Sequence, residues 1–290
     1  MDAIDPNLRI GAVTLAVSDL PRAVGFYERV LGLRLLEREQ RTARLGAEEN
    51  APVLTLVELE RASPLPVAAS GLYHVAWLLP SRAELAQTVR RIAAARWPLE
   101  GAADHGVSEA LYLSDPDGLG IEVYADRPRE SWTRRADGAG VKMVSEPLDL
   151  EDLLAQAPAQ VVSARMAAGT TIGHVHLKVA DVQRSEEFYR DALGFEEQAR
   201  LPSAAFVSAG GYHHHVGMNS WQSAGAPPAP ASAPGLRAID FELSAARELE
   251  QLRRRVSRHD AHAHVSDEPG NGLALHDCDG QLLRFHARAA

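Results

Sequence analysis

Cysteine is almost absent from this 290-residue chain, aromatic residues make up 6% of it, and basic charge is in deficit. The single cysteine, Cys278, excludes internal disulfides and any cysteine-rich metal site, so metal ligands must come from histidine and carboxylates. Cys278 is also a poor candidate nucleophile, because it occupies a turn position whose repeated counterpart is Pro116. No apolar run approaches the roughly 20 residues needed to span a bilayer. Met1 to Pro6 has neither a basic n-region nor an apolar h-region. The expectation is a soluble, cytoplasmic protein without membrane contact. Thirty Lys and Arg against 39 Asp and Glu leave a formal charge of -9. That balance argues against a nucleic-acid footprint, which needs clustered cations to displace counterions from phosphates, and it suits a small diffusing substrate. A hydrophobic content of 46% over this length suits two ordinary domains better than one oversized core.

The chain repeats itself at an offset of 162 residues. Ile10-Gly11-Ala12-Val13, Leu15, Val17, Asp19, Phe26-Tyr27 and Leu31-Gly32 recur as Ile172-Gly173-His174-Val175, Leu177, Val179, Asp181, Phe188-Tyr189 and Leu193-Gly194. Asp115-Pro116-Asp117-Gly118 returns as Asp277-Cys278-Asp279-Gly280. Each half divides again, giving four modules. In the first, Ile10 to Val17 alternates like a strand, Asp19 caps a helix carrying Ala23, Phe26, Tyr27 and Val30 on one face, and three further strands complete a βαβββ unit. Module 2 begins at Gly71 with a helix from Ser81 to about Ala95, module 3 at Thr171 with a helix from Asp181 to Leu193, and module 4 at Gly235 with a helix from Ser244 to Arg258. The reading is α+β, with domains at 7-130 and 170-290 joined by a connector, 131-169, that holds a short helix near Leu148 to Ala155.

Two βαβββ units side by side close into a cup, and the inward residues of the first and last strand of each unit meet near its axis. At those positions module 2 has His74 and Glu122, and module 3 has His174 followed by the run His213-His214-His215. Modules 1 and 4 have Ala12, Ala238 and Arg284 instead. If modules 2 and 3 share a cup, within one chain or across a homodimer, it collects His74, Glu122 and His174, and modules 1 and 4 form a vacant pseudo-site. Two histidines and a carboxylate on one face of a metal define the non-haem Fe(II) facial triad, with Mn(II) as the alternative ion. Glu122 lies between Ile121 and Val123, where an unpaired buried carboxylate is costly and a cation removes the cost. Strand alternation places His213 and His215 on one side and His214 on the other, and the expectation is that His213 and His215 face the cup. His176, His264, His276 and His286 read as structural histidines on strands, with His176 also a candidate substrate contact.

The stretch Asp104-His105-Gly106-Val107-Ser108-Glu109-Ala110-Leu111-Tyr112-Leu113-Ser114-Asp115-Pro116-Asp117-Gly118, on to Glu122, resembles the vicinal oxygen chelate superfamily and, within it, the type I extradiol ring-cleaving dioxygenases. With Gly71-Leu72-Tyr73-His74 and Gly210-Gly211-Tyr212-His213-His214-His215, the layout looks like the shorter bacterial catechol 2,3-dioxygenases. In that family a Tyr precedes the metal-binding Glu by ten residues and a His stands earlier still. Tyr112 and His105 hold those places here, and the family's usual first histidine corresponds to Ala12. The resemblance implies cup-shaped mixed sheets, a catechol and O2 as substrates, and a homo-oligomer. It implies a histidine of the triple run, His215, as proton acceptor with His213 beside the substrate, Tyr112 hydrogen-bonding the substrate oxygen or an intermediate, and His105 steadying the hydroxyl or closing the entrance. Two other functions share the fold: a glyoxalase-like isomerase or lyase using Zn, Ni or Mn, and a ligand-sequestering module of the bleomycin-resistance type.

Overall fold

The computed structural model describes residues 3–49, 51–136, 138, 140–157, 162–259, 266–268 and 272–288. Module 1 runs β1 (Arg9–Val17), α1 (Leu20–Arg29), β2 (Arg34–Arg38), β3 (Thr42–Gly46) and β4 (Leu54–Glu58). Module 2 follows as β5 (Gly71–Leu79), α2 (Arg82–Ala94), β6 (Gly101–Asp104), β7 (Ser108–Ser114) and β8 (Gly120–Asp126). The connector adds β9 (Glu146–Pro147) and α3 (Leu150–Ala155). Module 3 is β10 (Thr171–Lys178), α4 (Val182–Glu187), β11 (Glu196–Leu201), β12 (Ala204–Ser208) and β13 (Val216–Asn219). Module 4 is β14 (Gly235–Leu243), α5 (Ala246–His259), β15 (Ser266–Glu268), β16 (Gly272–His276) and β17 (Leu282–Ala287). The α+β, four-module pattern is therefore as the repeat requires. Asp19, Ser81 and Asp181 cap α1, α2 and α4 by accepting from backbone N–H groups of the first turn.

One helix departs from expectation. The segment after Asp181 is not a single α-helix, because α4 gives way to a π-helical stretch over Phe188–Leu193. Module 3 carries Glu186 where module 1 has Val24, and this fully buried carboxylate is paired with Arg190 at 2.7 Å and Arg200 at 3.0 Å.

Sheet pairing cuts across the two halves of the sequence. β5 pairs antiparallel with β10, and β1 with β14, so one cup joins modules 2 and 3 and the other joins modules 1 and 4. Division at 131-169 into an N-terminal and a C-terminal unit describes the repeat, and the cups do not follow it. Within each half the contact is a latch. Tyr27 donates to Asp115 at 3.3 Å, and Asp117 accepts from the Ser18 N–H at 2.8 Å. The second copy reproduces this, with Tyr189 to Asp277 at 3.0 Å and the Ala180 N–H to Asp279 at 2.9 Å. The repeated Phe-Tyr and Asp-x-Asp-Gly motifs are thus two ends of one structural joint.

Strand alternation then assigns the faces. Val75 and Trp77 of β5 join the main core with Leu85 and Ile92 of α2, while His74 and Ala76 take the opposite, concave face. In this structure the β5–β10 pairing within one chain closes this cup.

Candidate metal centre

Three strands laid side by side bring the ligand candidates together. Across the β5–β10 pair, His174 lies opposite Ala76 and His176 opposite His74. Across the parallel β5–β8 pair, Ala76 lies beside Glu122 and His74 beside Gly120. Ala76 is therefore flanked by His174 and Glu122, and its single methyl leaves space over it for both side chains. Gly120 serves His74 likewise, since a Cβ there would overlap the Tyr73 carbonyl oxygen and crowd the His74 Cβ at 3.1 Å. The resulting spacings are 3.0 Å from His74 Nε2 to Glu122 Oε2, 3.1 Å from His174 Nε2 to Glu122 Oε2, and 3.3 Å between the two Nε2 atoms. Adjacent ligands around an octahedral ion at roughly 2.1 Å sit about 3.0 Å apart, so the three atoms form a face of the right size. All three residues are buried.

Electrostatics agree with a ligand-ready state. Burial alone would raise the Glu122 carboxyl, but hydrogen bonds and charge from His174 and His74 outweigh it and hold the carboxyl well below its ordinary range. Burial lowers the His174 imidazole to about 4, against the opposing pull of Glu122. A carboxylate and neutral imidazole are the forms that bind a cation. The donor set, two nitrogens and an oxygen without sulfur, suits Fe(II) or Mn(II).

Above this face opens a cavity of about 450 Å³, walled by Tyr73, His176, Phe206 and Trp221 on one side and by Tyr112, His105 and Val144 on another. Clefts of about 1070 Å³ against α5, 850 Å³ against α1 and α2, and 460 Å³ between α4 and α5 contain no such ligand group. Among the described residues, His74, Glu122 and His174 form the one cluster able to hold an ion. In the companion cup the equivalent positions are Ala12, Ala238 and Arg284, and Arg284 lies 3.5 Å from Asp240, which stands where Ala76 does in the first cup.

Tyr112 and His105 both line the cavity, and they are in contact. The His105 Nδ1–H donates to the Val144 carbonyl at 2.8 Å, which leaves its Nε2 to accept from the Tyr112 hydroxyl at 2.6 Å. Burial first, and the Glu122 charge second, keep that phenol protonated.

The triple histidine needs correcting. His214, not His213 or His215, borders the cavity, with its ring centroid 4.0 Å from that of His174. His215 turns away and accepts from the Ala209 N–H at 3.2 Å, and His213 is fully buried behind His214 against Asp126. Period-two alternation failed because residues 210–215 form a turn before β13, with Gly210 and Gly211 at φ +60° and +65°. His176, read both as structural and as a candidate substrate contact, lines the cavity and accepts from Asn219 Nδ2 at 3.0 Å. Its ring fits because Gly217 opposite has no Cβ, which would sit 3.0 Å from it. His276 is exposed, His286 lies 4.0 Å from Asp240, and His264 falls outside the described residues. Sequence reasoning missed the wall supplied by Met143, Val144 and Ser145. These residues belong to the connector, whose β9 pairs with β6. Gly106, at φ +73°, was the available signal, since its missing Cβ admits Val144 at 3.3 Å.

Comparison with known proteins places these observations. The chain is 41% identical to a catechol-2,3-dioxygenase of Bacillus subtilis (strain 168), over 98% of its own length and 99% of that protein's. Its fold is similar to that of a putative dioxygenase from B. subtilis subsp. subtilis str. 168, with TM-score 0.66 and 13% identity over 100% of this chain and 87% of that one. It is also similar in fold to glyoxalase I from Zea mays, with TM-score 0.59 and 15% identity over 96% and 92% of the two chains. The model of the Glyoxalase/Bleomycin resistance protein/Dioxygenase superfamily matches residues 9–123 and 171–285, the two copies of the repeat, and the chain belongs to that superfamily.

Proposed function

We propose that the protein is an extradiol ring-cleaving dioxygenase, opening catechol or a substituted catechol with O2 at a non-haem Fe(II) held by His74, Glu122 and His174. The observation that carries this reading is the three-atom ligand face at 3.0–3.3 Å beneath an aromatic cavity bordered by a third, non-ligating imidazole, His214. The catechol-2,3-dioxygenase relative at 41% identity supports it. Bound there, Fe(II) supplies a Lewis acid that lowers the pKa of a diol oxygen and a redox centre through which ring and O2 exchange electrons.

The remaining work falls to the chain's own side chains. Tyr73, Phe206, His176 and Trp221 clasp the ring and exclude water. His214, held neutral by burial and by the neighbouring imidazoles, accepts a hydroxyl proton from the diol. Tyr112, donating to His105 in the free enzyme, redirects its O–H to a substrate oxygen while His105 remains anchored on Val144. His74, Glu122 and His174 would hold the ion, and the cavity above them has room for the substrates.

The test is oxygen uptake together with absorbance of the yellow ring-opened semialdehyde, after anaerobic Fe(II) loading and addition of catechol. Stoichiometric O2 consumption is expected, with loss of activity in Glu122→Gln. Conversion of catechols or thiohemiacetals without O2 uptake would instead indicate an isomerase and overturn the reading.

A further inference from the structure

Behind the cavity runs a hydrogen-bonded file of three side chains that the reaction does not itself require. Asp126, at the end of β8, has Oδ1 3.0 Å from His213 Nε2. His213 Nδ1 lies 2.8 Å from His214 Nδ1. Among the described residues this is the one hydrogen bond of the His214 side chain, and His214 borders the cavity.

We propose that Asp126, acting through His213, fixes the tautomer of His214 so that the nitrogen presented to the cavity is a bare lone pair. A carboxylate has no proton to give, so the proton in the first bond sits on His213 Nε2. A neutral imidazole carries one N–H, which leaves His213 Nδ1 as an acceptor. The 2.8 Å contact then requires the proton on His214 Nδ1, and His214 Nε2 is unprotonated by elimination. The competing arrangement makes His213 an imidazolium that donates at both nitrogens, turning His214 Nε2 into an N–H. It would put a buried cation with its ring centre 4.7 Å from that of His214 and 6.0 Å from that of His174, the latter next to a dication when metal is bound.

The file is braced along its length. The Tyr212 hydroxyl donates to Asp126 at 3.3 Å and receives from Tyr124 at 2.7 Å. The Tyr124 hydroxyl occupies the space over Gly173 that any Cβ would fill. Trp132 packs on the His213 ring, centroids 5.4 Å apart. Asp126 and His213 are thus positioning residues that keep His214 ready to accept rather than donate. Its use as a base rests on the dioxygenase reading; the tautomer does not.

The deciding measurement is two-bond ¹H–¹⁵N correlation on the full chain labelled with ¹⁵N-histidine and treated with chelator, with His214 assigned by its loss in His214→Gln. The expected pattern is a pyridine-type Nε2 and pyrrole-type Nδ1 at residue 214, and a pyrrole-type Nε2 at residue 213. Asp126→Leu, and independently His213→Phe, should convert the His214 signals to an averaged tautomer mixture, with Asp126→Glu returning them toward the parent pattern. In Fe(II)-loaded enzyme, Asp126→Leu should lower kcat on the order of 10- to 100-fold with little change in KM. A pyrrole-type Nε2 at residue 214 in the parent, or an unchanged His214 pattern in both Asp126→Leu and His213→Phe, would overturn the assignment. A parent chain without ring-opening activity would overturn the function and leave the spectra to judge the tautomer.

Discussion

His174→Ala probes the arrangement most directly, because it deletes the one ligand candidate contributed from across the sequence repeat. In the parent, a metal that binds only the folded state adds RT ln(1 + [M]/Kd), about 2.7 kcal/mol at a free metal concentration of 100 Kd. An unfolding entropy of about 2.1 cal/mol/K per residue, over a chain of 290 residues, converts this to a rise in Tm of roughly 4–5 °C. The three atoms are 3.0–3.3 Å apart, so removing His174 Nε2 leaves two adjacent ligands and an open third position. Loss of a ligand costs at least the 10–100-fold attributed to residues that merely support one. At 100-fold, the same metal concentration sits near the variant's Kd, and the gain drops to about 0.4 kcal/mol, under 1 °C. Anaerobic calorimetry with and without Fe(II) reads both chains, and taking the difference within each cancels any effect of the substitution on the metal-free fold. His276→Ala, at an exposed imidazole outside the cup, controls for surface binding and should keep the full shift. A His174→Ala chain retaining the 4–5 °C rise would refute a metal site shared between modules 2 and 3.

Other positions carry predictions of their own. Gly173→Ala places a methyl on the Tyr124 hydroxyl, and thermal unfolding should register a loss of about 1–3 kcal/mol with altered near-UV dichroism from Tyr124 and Tyr212. Asp115→Ala unpairs the Asp117 and Leu119 N–H groups and the Tyr27 hydroxyl, and urea denaturation should show a loss of about 2–4 kcal/mol. Asp277→Ala should cost a similar amount through Asp279, Gln281 and Tyr189, and unequal costs would argue against equivalent latches. Trp221 is 53% exposed at the cavity mouth, so Trp221→Ala should raise KM for catechols several-fold and leave kcat nearly intact; a fall in kcat alone would remove it from the binding wall.

Much of this molecule was written locally. The repeat, the capping residues Asp19, Ser81 and Asp181, and strand periodicity specify four βαβββ modules, because caps and alternation depend on neighbours a few residues apart. Ligand types surviving in modules 2 and 3 alone pointed to a shared cup, and Glu122 in an apolar strand marked a buried charge in need of a partner. The triple histidine lay beyond that reasoning. Two glycines with positive φ turn residues 210–215 out of the extended path, so the imidazole that borders the cavity is the one strand alternation had turned away. The connector was equally illegible, since Val144 gains its place by packing over Gly106 and accepting from His105, contacts made across 38 or 39 residues of chain. Sequence alone determined the modules and which of them keep metal-ligand residue types, because hydrophobic period and residue type are properties of the chain itself. Tertiary structure decided that β5 pairs with β10 inside one protomer, and that Asp126 stands behind His213 and His214, because those distances exist only after 100 or so intervening residues have folded back.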